Sequence, residues 1–340
     1  MIDSIAGIDL NLESKVGIFA DDTRATRQIS DEDDALILQD DLEKLYNWAN
    51  ENNMAFNGTK FECLKYGPNH ELKENYNYSN PEVDICIEDK SSLRDLGIQM
   101  SEFATYEEHI GNVIKKAKQK SAWINISFVR NDINFRKKLW KTYIEGAMDY
   151  GSQVWSPVCK TKLARMETVL KGFLSNSKNM GKNTYWQNLK IAKMSSIQRR
   201  HERYKIFYIW KIINGICPNY GLKWSHNTRR GILIDIPVLN SYVPDSVKTI
   251  RDQSLTVHGG KLFNSLPNHI RNCRESKEVF KKLLDEFLTQ IPDKPESQGF
   301  YPEPTCRITC KKSNSIIDWT RYLNLSDRRT HLTDDEIRGV

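Results

Sequence analysis

Asp21 and Asp22 stand side by side behind Ala20 and a short apolar run over residues 16–19. Two carboxylates at one point offer hard oxygen ligands of the kind Mg²⁺ takes in octahedral coordination, a task for which Cys or His is unsuited. A pair of such ions about 3.5–4 Å apart can stabilise the attacking and leaving oxygens of a displacement at phosphorus. The chemistry that this pattern fits is nucleotidyl transfer, in which a 3′-hydroxyl attacks the α-phosphate of a nucleotide. Ala20 leaves room for metal and primer. The plainer alternative is a turn dipeptide, because Asp favours turns in any case. A motif this short does not decide between them.

Carboxylates with that task need a rigid support, and a hairpin tip supplies one. Val16, Ile18 and Phe19 lead into the Ala-Asp cluster and a second short stretch runs on to Ile29, which predicts a β-hairpin. Ser30 and Asp33 form a predicted capping box, and residues 31–34 crowd acid into the first helical turn. Leu38, Leu42, Leu45 and Ala49 then carry the helix toward Asn53. Residues 61–66 predict a strand stopped by Pro68, Val83, Ile85 and Ile87 alternate as a second, and 93–100 reads as a third containing Gly97. From Thr105 the period changes: Tyr106, Ile110, Val113, Ala117 and Ile124 share one helical face, with Lys115, Lys116, Lys118 and Lys120 largely on another. Further helices are predicted over 134–150, 160–174, 185–194, 195–214 and 278–291. Residues 231–267 read as turns with short β-like pieces. Pro292, Pro295, Pro302 and Pro304 open a tail expected to be extended.

The net charge of +6 is unevenly spread: residues 1–101 sum to −12, 102–230 to +17 and 231–340 to +1. The middle block also holds six of the eight tryptophans. Such a block is either the footprint of a polyanion-binding surface or a set of solvated helix faces. Within it Arg199, Arg200, Arg203 and Lys205 fall in two turns of one helix, among His201, Tyr204 and Tyr208. Arginines suit phosphate contacts and rings suit base stacking; the alternative is a packed helix with one charged face. Trp140, Trp155, Trp186 and Trp210 read as core anchors. Cys306 and Cys310, with His331, could begin a zinc site, but no second pair follows and free thiols are the simpler reading. Seven cysteines scattered singly make no disulfide framework and fit a reducing, intracellular compartment. No run of about 18 apolar residues predicts a membrane span, and Asp3 and Asp9 stand where a secretory signal is basic.

Several segments match one family in order. Phe19-Ala20-Asp21-Asp22-Thr23 resembles the catalytic motif C of reverse transcriptases in the form common among jockey-like non-LTR elements. Leu38-Gln39-x-Asp41-Leu42, Trp48 and Met54-x-Phe56-Asn57-x-x-Lys60-x-Glu62-Cys63 resemble its motif D, and Asp95-Leu96-Gly97-Ile98 resembles motif E, the primer-grip hairpin. Tyr150-Gly151-Ser152-Gln153-x-Trp155-Ser156-Pro157, Tyr185-Trp186, Gln198-Arg199-Arg200-x-Glu202-Arg203-Tyr204 and Leu262-Phe263-Asn264-x-Leu266-Pro267 resemble the region that follows the catalytic domain. The chain is thus similar, to about residue 320, to the reverse transcriptase of a non-LTR (LINE-like) retrotransposon. Viral RNA-dependent RNA polymerases usually carry Gly where Ala20 stands.

The resemblance implies an α+β fold. It places the C-terminal part of a polymerase palm over 1–101, with the Asp hairpin packed on helices. A mainly α-helical, basic, thumb-like region follows over 102–230, then a C-terminal region over 231–291 and a flexible tail over 292–340. It implies an RNA-directed DNA polymerase, a nucleotidyltransferase of a transposable element, using dNTPs and two Mg²⁺ ions on an RNA template and DNA primer. Such a protein would work in the nucleus or cytoplasm, away from membranes. Asp21 would be the metal ligand and Asp22 a less direct neighbour. Lys60 would lie near the incoming nucleotide, protonating the leaving pyrophosphate or contacting a phosphate, unless it is simply a solvated lysine. Gly97 would let the backbone approach the primer, unless it marks a bulge. A palm also takes a metal-binding Asp from an earlier strand, and 20 residues before Asp21 are too few for it. The expectation for this chain alone is a catalytically inactive nucleic-acid-binding remnant.

Overall fold

The structure, a computed structural model, describes residues 11–20, 22–54, 56–67, 77–82, 86–157, 159–219, 221–227, 231–238, 245–293, 314–323 and 325. It is a mixed helix-and-sheet chain whose described strands form three two-stranded sheets. Two compact units divide it, Met1–Tyr106 and Glu107–Val340.

In the first unit β1 (Lys15–Phe19) and β2 (Asp22–Thr26) pair antiparallel, with Phe19 opposite Asp22. Alternation sends Val16, Ile18 and Ala25 onto Leu45, Trp48 and Ala49 of α1 (Glu32–Glu51), and leaves Phe19 and Asp22 outside. Helix α1 starts one residue later than the predicted capping box. Asp31, not Ser30, is the N-cap and accepts from the Asp34 N–H at 3.0 Å, while the Asp34 carboxylate accepts from the Ser30 N–H at 3.0 Å. An acidic cap serves the free N–H groups and the helix dipole as the Ser box would have done. Asp41, fully buried, accepts from the backbone N–H of Glu13 at 3.2 Å and of Ser14 at 2.7 Å, which fastens the foot of β1 to α1.

Residues 61–66 do not form the predicted strand. Cys63 makes a single bridge to Asp89, and the alternation there reflects Phe61 and Cys63 packing on Ala35, Tyr78 and Ile87. Burial pushes the Cys63 thiol up to about 12. Residues 83–85 of the next predicted strand lie outside the described residues. The run 93–100 is not one strand but a hairpin, β3 (Ser92–Asp95) with β4 (Ile98–Ser101). Leu96 and Gly97 connect them with φ of 45° and 83°. A two-residue loop with both central φ positive matches the twist of its strands, and glycine takes that conformation without steric cost.

In the second unit α2 (Glu107–Ser127) buries Ile110, Val113, Ala117 and Ile124 as its period predicts. The predicted helix over 134–150 is broken up: α3 (Ile133–Leu139), a π-turn (Trp140–Glu145) and α4 (Gly146–Asp149) run end to end. Then come α5 (Ser152–Trp155), α6 (Lys160–Ser175), α7 (Tyr185–Ala192) and α8 (Ile197–Ile213). Residues 231–267 are more helical than the sequence suggests. After β5 (Trp224–Asn227) and β6 (Gly231–Ile234) come α9 (Asp245–Gln253), a second π-turn (Leu255–Gly259) and α10 (Gly260–Asn264). Short helix α11 (Asn268–Arg271) leads to α12 (Lys277–Thr289).

One core joins the segments read as separate at residue 230. Ile206, Ile209 and Trp210 of α8 pack with Ile232, Phe263, Phe280 and Leu284. Trp210 stacks on Phe280 at 4.8 Å between ring centres and donates its indole N–H to the Cys273 carbonyl at 2.8 Å. The same core corrects the expectation of a loose tail. Helix α13 (Ile316–Tyr322) buries Ile316 and Trp319 in it. Pro295, Pro302 and Pro304 lie outside the described residues, but Ile316, Ile317 and Trp319 are apolar at helical spacing and have a surface to bury against.

Candidate active site and nucleic-acid interface

The β1–β2 register leaves residues 20 and 21 as a two-residue connection, so the Ala-Asp-Asp sequence falls at a hairpin turn. Asp21 itself lies outside the described residues. Ala20 has φ of 54°, a left-handed conformation costing a non-glycine residue roughly 1–2 kcal/mol. Asp22 is exposed on the outer face of the hairpin together with Phe19, which is 65% exposed. Two residues along the same face, Arg24 forms an ion pair with Asp95, the residue before the Leu96–Gly97 turn. Opposite Arg24 stands Gly17 on β1. The Arg24–Asp95 pair links the two hairpins through one side-chain contact.

Lys60 ends a single 3-10 turn, Gly58–Lys60, capped by Asn57, whose side chain accepts from the Thr59 N–H at 3.2 Å. The flanking Phe56 and Phe61 anchor this turn, Phe56 on the Leu45–Trp48 cluster and Phe61 on the Ala35–Tyr78 cluster. Lys60 is exposed, and no hydrogen bond or ion pair joins it to Asp22 among the described residues. Among those residues no three His, Cys, Asp or Glu side chains converge as a metal site. Cys306, Cys310 and His331 lie outside them.

The arginine cluster on α8 is not a surface. Arg199 is 3% exposed and donates to the Pro292 carbonyl at 2.9 Å. Arg200 is buried between Glu145 and Asp149, with Nη1 3.2 Å from Glu145 Oε2 and Nη2 3.2 Å from Asp149 Oδ1. Burial opposes its charge, but Asp149 and Glu145 more than offset that and hold its pKa above the usual value. Arg203 is the outermost, and it forms a two-pronged pair with Asp285 at 2.5 and 2.7 Å. The alternative of a packed helix describes Arg199 and Arg200, because their partners sit on the segments that wrap α8.

Those partners escaped the sequence reading, although a signal existed. Glu145 and Asp149 are rare acids in a basic block, spaced i, i+4 so that both reach one guanidinium. Half-buried Glu167 likewise accepts from the N–H groups of Ile197 and Gln198 and from the Tyr185 hydroxyl, holding the start of α8. Burial raises the pKa of Glu167 in spite of these bonds. His201 completes the network: Nδ1 meets Ser156 Oγ at 3.0 Å and Nε2 meets Asp149 Oδ1 at 3.1 Å, with His201 and Ser156 buried and Asp149 partly so.

The exposed positive charge lies elsewhere. Lys115, Lys116, Lys118 and Lys120 on α2 and Lys138 and Lys141 beyond it are exposed, and none has a carboxylate partner among the described residues. No described helix is long and apolar enough to cross a membrane. No protein-family model, curated protein or solved structure matches the chain.

Proposed function

We propose that the chain corresponds to a non-LTR retrotransposon reverse transcriptase from its motif C onward, an RNA-directed DNA polymerase acting by two-Mg²⁺ nucleotidyl transfer. The observation that carries this reading is the pairing of two hairpins in one unit. One has Ala-Asp-Asp at its turn and the other has Leu-Gly at its turn, joined by Arg24 and Asp95. In this reading Asp21 ligates metal with Asp22 beside it, a left-handed Ala20 fixes the turn that presents them, and Gly97 lies against the primer. Lys60 meets phosphate of the incoming dNTP. The group that Mg²⁺ supplies is a Lewis acid for the attacking and leaving oxygens.

A second reading is favoured by the charge distribution: nucleic-acid binding without catalysis by these 340 residues alone. The unpaired lysines lie in the helical unit, while the hairpin offers a metal two adjacent carboxylates. Both readings expect an RNA template with a DNA primer as ligand, and they differ in where the primer ends. A DNA primer bearing a 3′-terminal 4-thiothymidine, annealed to RNA, is photo-crosslinked to the full chain and the adducts are mapped by mass spectrometry. The polymerase reading expects adducts in peptides containing residues 19–23 or 95–98. Adducts confined to residues 107–340 support the binding-only reading, and absence of any complex overturns both.

A further inference from the structure

The C-terminal end of α2 and the loop after it carry large apolar side chains that the unit does not bury. Trp123 is 48% exposed, Ile126 85% and Val129 fully exposed. Trp123 is nevertheless held in place, edge to face with Tyr143 at 5.4 Å and with Phe128 at 5.8 Å between ring centres. Phe128 in turn meets Phe135 at 5.7 Å. Tyr143 is itself 40% exposed and sits on the π-turn, where an i→i+5 bond re-aims a side chain out of the regular helical register. On α2, Lys116 and Lys120 precede Trp123 by seven and three residues, so all three share one face of the helix. Residues 111–144 hold nine Lys and Arg and one carboxylate, Asp132, which pairs with Arg130.

An apolar surface framed by unneutralised lysines fits a ligand that is anionic along its length and offers flat apolar faces. Unpaired nucleic acid has both, whereas a duplex hides its base faces within the stack. From this juxtaposition we propose that Trp123, with Tyr143 beside it, is a base-stacking platform for single-stranded nucleic acid whose phosphates run along Lys116 and Lys120. The proposal rests on the reading of the chain as a nucleic-acid-binding protein and assigns the strand type and the residues.

The two contact types have separable signatures. Stacking contributes affinity without releasing counterions, while each phosphate contact adds about 0.7 to the salt slope on single strands. Binding of the full chain to fluorescein-labelled U20 is measured by anisotropy across a salt series. Trp123→Leu, which keeps apolar contact with Tyr143 and Phe128, is expected to weaken binding about 5–100-fold with the slope unchanged. The double variant Lys116→Ala, Lys120→Ala is expected to lower the slope by about 1.4. A blunt RNA–DNA duplex should respond to the lysine variant and not to Trp123→Leu. On wild-type protein, U20 carrying 5-iodouridine is expected to crosslink to Trp123 or Tyr143, a result independent of how any variant folds. Undiminished U20 binding by folded Trp123→Leu, or crosslinks elsewhere only, overturns the platform while leaving nucleic-acid binding intact. No binding of either ligand overturns both. If Trp123→Leu instead abolishes binding to phosphatidylglycerol vesicles and spares U20, the surface belongs to a membrane and the proposal fails.

Discussion

Arg200→Ala is expected to destabilise the helical unit by about 3–5 kcal/mol, the cost typical of removing one partner from a buried ion pair. The variant strands Asp149 (9% exposed side chain) and Glu145 (22%) around an empty space, and Asp149 loses the closest cation that offsets its burial. Burial raises the pKa of Asp149, but the bonds from His201 and Arg200 outweigh this and hold it below the ordinary carboxylate value. Urea unfolding followed by tryptophan fluorescence reads the loss as a lower midpoint at an unchanged slope. Lys116→Ala, on an exposed lysine, is the control and should move the midpoint little. A stable Arg200→Ala protein that has lost nucleic-acid affinity would return this arginine to the surface role that its sequence context suggested.

Raising the pH from 8 to 10 should stabilise the wild-type helical unit relative to Lys205→Met by about 2 kcal/mol. Lys205 is 1% exposed; its ammonium donates to the Ser156 carbonyl at 3.1 Å and lies 3.3 Å from His258 Nδ1. Burial brings its pKa from 10.5 down to about 8, with Glu202 opposing the shift. Between those values the unfolded chain binds a proton that the folded chain has released, so stability rises with pH through the window and falls as pH drops toward 8. Tyr185 and Tyr204 act in the opposite sense above about pH 10, because burial raises their folded pKa values and unfolding lets them ionise. Subtracting the Lys205→Met profile removes their share. His258, pushed well below 6.5 by burial and by Lys205 and Lys261, adds a second loss of stability as pH falls through 6.5. Parallel wild-type and Lys205→Met profiles between pH 8 and 10 would show that Lys205 keeps its ordinary pKa in the folded chain, with its ammonium solvated or fully compensated.

Local pattern carried the elements far better than it carried their partners. The β1–β2 hairpin, α1, α2 and α8 follow from alternation and 3.6-residue spacing, because each is set by its own apolar residues. The Ala-Asp-Asp turn is legible for a similar reason, because it is short and polar where the strands must reverse. The Leu96–Gly97 turn is not: local alternation reads 93–100 as one strand, and only the resemblance to motif E implies a hairpin there. Residues 61–66 misled because two buried side chains at spacing two look the same whether they face a ladder or a loop. The cluster at Arg199–Arg203 misled more deeply. Whether an arginine points outward depends on acids at Glu145, Asp149 and Asp285, some 50 to 80 residues away, and only the packing of α8 at the centre of its unit brings them together. Trp123 shows the converse. Nothing in its local sequence separates it from the core tryptophans Trp140, Trp155 and Trp210, yet it is 48% exposed on α2.

The metal chemistry assigned to the first unit is tested most directly by Mn²⁺ titration of the ¹⁵N-labelled chain, because the ion's unpaired electrons broaden amide signals near the place it binds. At sub-stoichiometric Mn²⁺ the amides of Phe19, Ala20, Asp22 and Thr23 are expected to broaden first, and Asp21→Asn with Asp22→Asn should abolish the effect. Mg²⁺ in excess should restore the signals, since both ions are hard and take oxygen ligands. Broadening that begins at the acidic first turn of α1, residues 31–34, and leaves the hairpin sharp would contradict a nucleotidyl-transfer site at Ala20–Asp22.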